Sequence, residues 1–231
     1  MLCHALGVFY SSFSIAGNAQ TTTIFQAKFG WTEDETMFYN TIISASAIVG
    51  MFVGCICAGK LIQKGRRRGA VIANSLAIIG AGTTMVGTIP FLAFGRLSNG
   101  VAAGIYNVTF SKMVLENMPI YLSQKLAMCQ SASIQVGVFA AYSMGGILPD
   151  PKDTQACKED ELWRVIYLVP AFIGTFELII ALLIFRLEPI AYCVMMGLEE
   201  EGMQHMRRVY RKVDPDSPET IDEILEMQYQ Y

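Results

Sequence analysis

Charge is scarce in this sequence. Asp, Glu, Lys and Arg make up 16% of its 231 residues, against 53% hydrophobic, which leaves too little polar surface to wrap a water-soluble core of this size. Apolar side chains must therefore meet lipid. A basic surplus is also missing: the formal net charge is -3, which excludes the broad cationic face that attracts nucleic-acid phosphate. His4 and His205 stand near opposite ends of the chain, and no HExxH, phosphate-cradling glycine loop or Ser/His/acid grouping occurs, so neither an enzyme nor a bound cofactor is expected. The cysteines at 3, 55, 57, 129, 157 and 193 show no CxxC spacing. Cys55 and Cys57, two apart, leave a helix in different directions, so no metal site is expected and the thiols read as packing groups.

What the sequence has instead is long apolar runs. A membrane helix needs about 20 mostly apolar residues to cross roughly 30 Å of hydrocarbon. Stretches of that kind run from Leu2 to Phe25, Phe38 to Gly59, Gly69 to Pro90, Phe91 to Ser111, Leu126 to Leu148 and Val165 to Phe185. No charged residue interrupts Phe38 to Gly59, Gly69 to Gly95 or Leu126 to Leu148. Blocks like these are helices, because a barrel strand alternates apolar with polar over about ten residues. The first run lacks a basic n-region and a cleavage site, so it reads as a helix that stays. The expected fold is all-α and polytopic, with six transmembrane helices in residues 1–186 and a cytoplasmic helical region in 187–231.

Lys60, Lys64, Arg66, Arg67 and Arg68 crowd the loop between the second and third runs, which places that loop in the cytoplasm. Alternation then puts the acidic segments Lys28–Thr36 and Pro149–Trp163 outside and both termini inside, with a plasma membrane favoured over an organelle membrane. Leu198 to Asp214 is rich in Glu, Arg and Met, and reads as a solvated amphipathic linker or a gating segment. Gly50 with Gly54, and Gly100 with Gly104, have the GxxxG spacing that lets two helices approach closely in lipid.

Gly59 to Arg68, GKLIQKGRRR, resembles the basic motif between the second and third helices of major facilitator transporters, with Gln63 where Asp is commonest. Gly95-Arg96, Gly100, Gly104 and Glu116-Asn117-Met118-Pro119 resemble the GRxxxGxxxG and ExxP pattern of the sugar porter family. Trp163-Arg164 and Leu187-Glu188 are similar to the start and end of that family's sixth span. Ser123 stands where the family has Arg, and Pro189-Ile190-Ala191 replaces Ser-Pro-Arg. The resemblance covers about Leu6 to Val213 and implies the N-terminal half of a two-lobed carrier, ending before a seventh span, whose partners are the lipid bilayer, a sugar-like solute and a second six-helix half.

The resemblance also assigns roles. Arg96 matches the arginine that proton-coupled members pair with an Asp of the first helix. Here Ser14 holds the aligned position, and since a hydroxyl does not titrate near neutral pH the expectation is facilitated movement of a neutral solute, plausibly a hexose. Glu177 is the other intramembrane ionisable group, read either as a coupling carboxylate of a proton symporter or as a hydrogen-bonded carboxyl at a helix interface; Arg96 alternatively snorkels to the interface. A glutamine in the fifth helix is a sugar ligand in the family, which points to Gln135 first, then Gln130, with Ser131 between them in register. Phe9 and Phe13 supply apolar walls or packing. Arg67 and Arg68 are expected to pair with Glu116 and hold the outward-facing state. A half-size protein with an assembly role and no transport of its own is the competing reading.

Overall fold

The computed structural model describes residues 2–117, 120–150, 153–183, 192–193 and 196–197, without the side chains of 2–5, 113–117, 120–124, 126 and 154. Among them the helices run α1 Leu2–Phe29, α2 Glu33–Gln63, α3 Arg66–Thr84, α4 Ile89–Asn117, α5 Ile120–Gly145, α6 Thr154–Glu159 and α7 Trp163–Leu183. The six long ones follow the expected runs in order. The expected region 187–231 lies outside the described residues, apart from Tyr192, Cys193, Met196 and Gly197.

The breaks have local causes. α2 opens with a capping box, in which the Thr32 side chain accepts from the Glu35 N–H while the Glu35 carboxylate accepts from the Thr32 N–H at 3.0 Å. Those bonds hold the Glu35 carboxyl below its usual pKa. α2 ends at Gln63, and Gly65, with φ 126°, turns the chain sharply into α3. The third run was expected to reach Pro90, but α3 stops at Thr84, Gly87 turns the chain at φ 72°, and Pro90 is the second residue of α4, the first turn being where a missing N–H costs nothing. The short α6 was not foreseen; Asp153 caps it by accepting from the Ala156 N–H at 3.1 Å.

The long helices form two layers. α2, α4, α1 and α5 lie side by side in that order, and α3 with α7 backs α4 and α1. The GxxxG pairs face each other across the α2–α4 contact, where a Cβ on Gly54 would collide with the Val101 carbonyl oxygen and one on Gly100 with that of Ala47. By length and composition α2 and α7 are long and apolar enough to cross a bilayer; the other four mix Ser, Thr, Asn and Gln among their apolar residues. Outward faces carry large exposed hydrophobic groups such as Phe52, Phe139 and Phe172. The cysteines depart from expectation, since Cys57 and Cys129 are exposed, while Cys157 and Cys193 are buried.

Lys28, Met85 and Glu161 mark one end of the bundle. Glu161 accepts from Lys28 at 2.8 Å and pairs with Arg164, whose Nε donates to the Met85 carbonyl at 3.3 Å. We call this the acidic end. At the opposite, basic end Arg67 donates to the last carbonyls of α7, Nε to Ala181 at 3.2 Å and Nη2 to Leu182 at 3.3 Å.

Candidate functional site

Polar side chains buried in apolar surroundings cost free energy unless they are hydrogen-bonded, so their positions mark where the fold is spending stability. One such group surrounds Arg96. Only 2% exposed, this side chain reaches from α4 across to α1, where Nη1 donates to the Ser14 carbonyl and, at 3.4 Å, to the Ser14 hydroxyl, and Nη2 donates to the Ile15 carbonyl at 3.4 Å. Its Nε has no hydrogen-bond partner among the described residues. Arg96 is therefore interior and does not snorkel. α1 contains no Asp or Glu, so backbone carbonyls and a hydroxyl take the place of a carboxylate partner.

A second group lies deeper, between α1, α3, α4 and α7. The Tyr10 hydroxyl donates to Asn99 Oδ1 at 2.6 Å, its ring packs on Tyr106 with centroids 5.8 Å apart, and the Tyr106 hydroxyl donates to Asn74. Glu177 is buried beside the Tyr106 hydroxyl and the Gly7 backbone, and its Oε1 has no partner among the described residues. Gly7 is needed here, because a Cβ would strike the Tyr106 ring.

The third group was not anticipated from sequence. Asn18 Nδ2 donates to Asn40 Oδ1 at 3.3 Å and to the Ser44 hydroxyl at 3.2 Å, and the Thr22 hydroxyl donates to the same Asn40 oxygen at 3.2 Å. From behind, the Tyr167 hydroxyl donates to Asn18 Oδ1 at 3.4 Å and shares a 2.9 Å bond with Thr21. This amide and hydroxyl seam joins α1 to α2 in the half of the bundle nearer the acidic end.

The expected ligands of α5 are not brought to one face. Gly137, Ala141 and Gly145 form the side packed on α1: a Cβ on Gly137 would strike Ser12 and the Phe9 carbonyl, and one on Gly145 would strike Gln20. Gln130 is two turns before Gly137 and so shares that side, half-buried with its Oε1 3.5 Å from the Ser111 hydroxyl of α4. Gln135 and Ser131 are exposed on another side. Phe13 is buried between α5 and α7 against Ala141 and Ile166, stacked on Phe9 at 6.0 Å. Arg67 meets the end of α7, and Arg68 is exposed. Glu116 stands on α4, but its side chain lies outside the described residues. Asn107 Nδ2 donates back to the Ala103 carbonyl at 3.0 Å within α4.

The family model described as Sugar (and other) transporter matches residues 1–231. This chain belongs to that family. It is similar to Hexose transporter 1 of Plasmodium knowlesi, 23% identical over 202 residues that cover 83% of this chain and 40% of the relative. Hexose transporter 1 of Toxoplasma gondii is 22% identical over 241 residues, covering 97% of this chain and 42% of the relative. Among solved structures, the partially occluded inward-open xylose transporter XylE of E. coli gives a TM-score of 0.79 at 16% identity, covering 99% of this chain and 57% of that one. XylE as a proton:xylose symporter bound to 6-bromo-6-deoxy-D-glucose gives 0.78 at 16% identity, covering 99% and 51%. The sugar transporter chain thus has the fold of the N-terminal six-helix half of a major facilitator carrier, is an integral membrane protein, and spans about 40% of the length of the curated relatives it matches.

Proposed function

We propose that this chain forms one lobe of a carrier that moves a neutral polyhydroxylated solute of the hexose class down its gradient, by alternating access against a second six-helix lobe. The observation that carries the reading is the partnering of Arg96. In a carrier driven by protons, this cation needs an acid that releases it on protonation; here Ser14 and the α1 carbonyls hold it, and none of those groups titrates in the physiological range. Gln130, beside Ser111, and Gln135 with Ser131 lie on different sides of α5, and both amides remain candidate ligands. The acidic end faces out and the basic end the cytoplasm.

The test is uptake of labelled D-glucose and D-xylose by the full-length protein in proteoliposomes. The expected result is equilibration to equal inner and outer concentrations, untouched by a protonophore. Accumulation above the outer concentration that collapses with the protonophore overturns it in favour of a symporter, for which the buried, partly unpartnered Glu177 is the candidate acid; Glu177→Gln then abolishes accumulation. No flux of either sugar supports the assembly role instead.

A further inference from the structure

The seam between α1 and α2 has the chemistry of a binding surface and the placement of an inlet. At 1.5 Å rise per residue, Thr22 and Asn40 lie about 10 Å from the acidic ends of their helices and Asn18 about 16 Å. The polar line therefore starts just inside the rim and descends toward mid-bundle. Thr22, Asn40 and Ser44 are half-buried, and Thr23 and Thr41 beside them are exposed. Asn18, Thr22 and Thr41 donate to acceptors within the protein, and the half-open edge of this line offers a polar solute the same donors and acceptors.

The bonds that cross from α1 to α2, at 3.2 to 3.3 Å, join neutral groups and are replaceable, while the Tyr167–Thr21 bond behind them is shorter at 2.9 Å. α2 packs along α4 and meets α1 only lightly, so little apolar contact resists the parting of Asn18 from Asn40. A sugar hydroxyl both donates and accepts, and two adjacent hydroxyls fit between an amide donor on Asn18 and an amide acceptor on Asn40. The cluster contains no charged side chain, which matches a neutral ligand and rejects an ionic one.

We propose that Asn18, Thr22, Asn40 and Ser44 form an entry subsite for a vicinal diol of a neutral sugar, separate from the α5 amides and engaged before the solute reaches mid-bundle. This rests on the reading of the protein as a sugar carrier. The test is calorimetric binding of D-glucose and its 2-, 3-, 4- and 6-deoxy derivatives to the full-length protein in nanodiscs, for the unaltered chain, Asn40→Ala and the milder Ser44→Ala, each checked by thermal unfolding. The expected result is about 5- to 10-fold weaker D-glucose binding in Asn40→Ala, and a smaller loss in Ser44→Ala, each corresponding to one hydrogen bond. At least one deoxy derivative should bind the unaltered and altered chains equally, which a merely structural role for Asn40 would not produce. D-glucose binding unchanged in both variants overturns the subsite and leaves the carrier reading intact. A uniform loss across every derivative overturns it as well. Absence of binding and flux for every sugar in the unaltered chain overturns both.

Discussion

Arg96 of α4 donates to the backbone carbonyl of Ser14 on α1, and that carbonyl belongs to a residue four before Asn18 within a continuous helix. The carbonyl thus already accepts an intrahelical bond, so removing the guanidinium strands no buried acceptor. It does remove a desolvated cation whose Nε is unpartnered. Replacing a buried charge by an apolar side chain of similar volume is often neutral or stabilising. Arg96→Met is therefore expected to leave stability within about 1 kcal/mol of the parent or raise it, while sugar uptake falls at least ten-fold. Paired thermal unfolding and uptake check this. A large loss of stability would show that the residue is kept for the fold.

The same carbonyl contact makes the Ser14 hydroxyl, at 3.4 Å, the lesser partner. Ser14→Ala should leave both stability and uptake close to the parent. Ser14→Asp instead sets a carboxylate beside the guanidinium, and on the facilitator reading uptake of that variant should gain a pH dependence relative to the parent, measured as initial rate between pH 5 and 8.

The α2–α4 contact allows a sharper contrast. At Gly54 and Gly100 a Cβ would run into backbone carbonyl oxygen, which cannot swing aside, so the helices must part. Gly54→Ala and Gly100→Ala should each cost about 1–3 kcal/mol. Gly82 of α3 has nothing within 4 Å of its Cβ direction, and Gly82→Ala should be neutral or gain up to about 1 kcal/mol from helix propensity. Thermal unfolding in detergent separates the two classes.

Helices were legible because apolar runs of membrane length are coarse signals, and the GxxxG pairs were legible because their spacing alone dictates a close approach. Boundaries were less so: the apolar stretch from Gly69 to Ser111 hides the turn at Gly87, which only the positive φ reveals. The seam escaped because Asn18, Thr22, Asn40 and Ser44 are uncharged and scattered over two helices. Their meeting depends on how α1 and α2 are rotated about their axes, which no single-helix pattern records. Charge in apolar runs drew attention to Arg96 and Glu177, and both are buried, yet composition could not say that Arg96 would be held by carbonyls. For α5, the linear nearness of Gln130 and Gln135 concealed that five residues is well over one helical turn, which sends them to different sides.

At the acidic end, Glu161 bridges Lys28 of α1 and Arg164 of α7. The hydrogen bond from Lys28, more than any other influence, holds the Glu161 carboxyl below its usual pKa. A carboxylate depressed in the folded state adds stability at pH above its unfolded value, and that contribution disappears as pH falls through the lower folded value. The difference in melting temperature between the parent and Glu161→Gln should therefore be steady from pH 8 down to about 5 and close below the ordinary carboxylate range. Added salt should shrink it at neutral pH, because both partners are reachable by solvent.

Arg67 ends α7 at the basic end. Its guanidinium spans the Ala181 and Leu182 carbonyls, the two residues before Leu183, the last described residue of α7. Close by, the Arg66 guanidinium lies 4.7 Å over the Tyr192 ring, and the Tyr192 hydroxyl donates to the Gln63 carbonyl at 3.3 Å. The basic loop thereby holds both the last described turn of α7 and Tyr192 against the start of α3. Lysine presents a compact ammonium with rotatable donors in place of the planar fork that matches two neighbouring carbonyls. Arg67→Lys should thus recover only part of the roughly 1 kcal/mol that Arg67→Ala loses, whereas Arg68→Ala, at an exposed side chain, should lose almost nothing. Hydrogen exchange at the last turn of α7 reads the difference directly: faster exchange in Arg67→Ala, intermediate in Arg67→Lys and unchanged in Arg68→Ala. Equal protection in all three would mean that the carbonyls of α7 find their donors elsewhere.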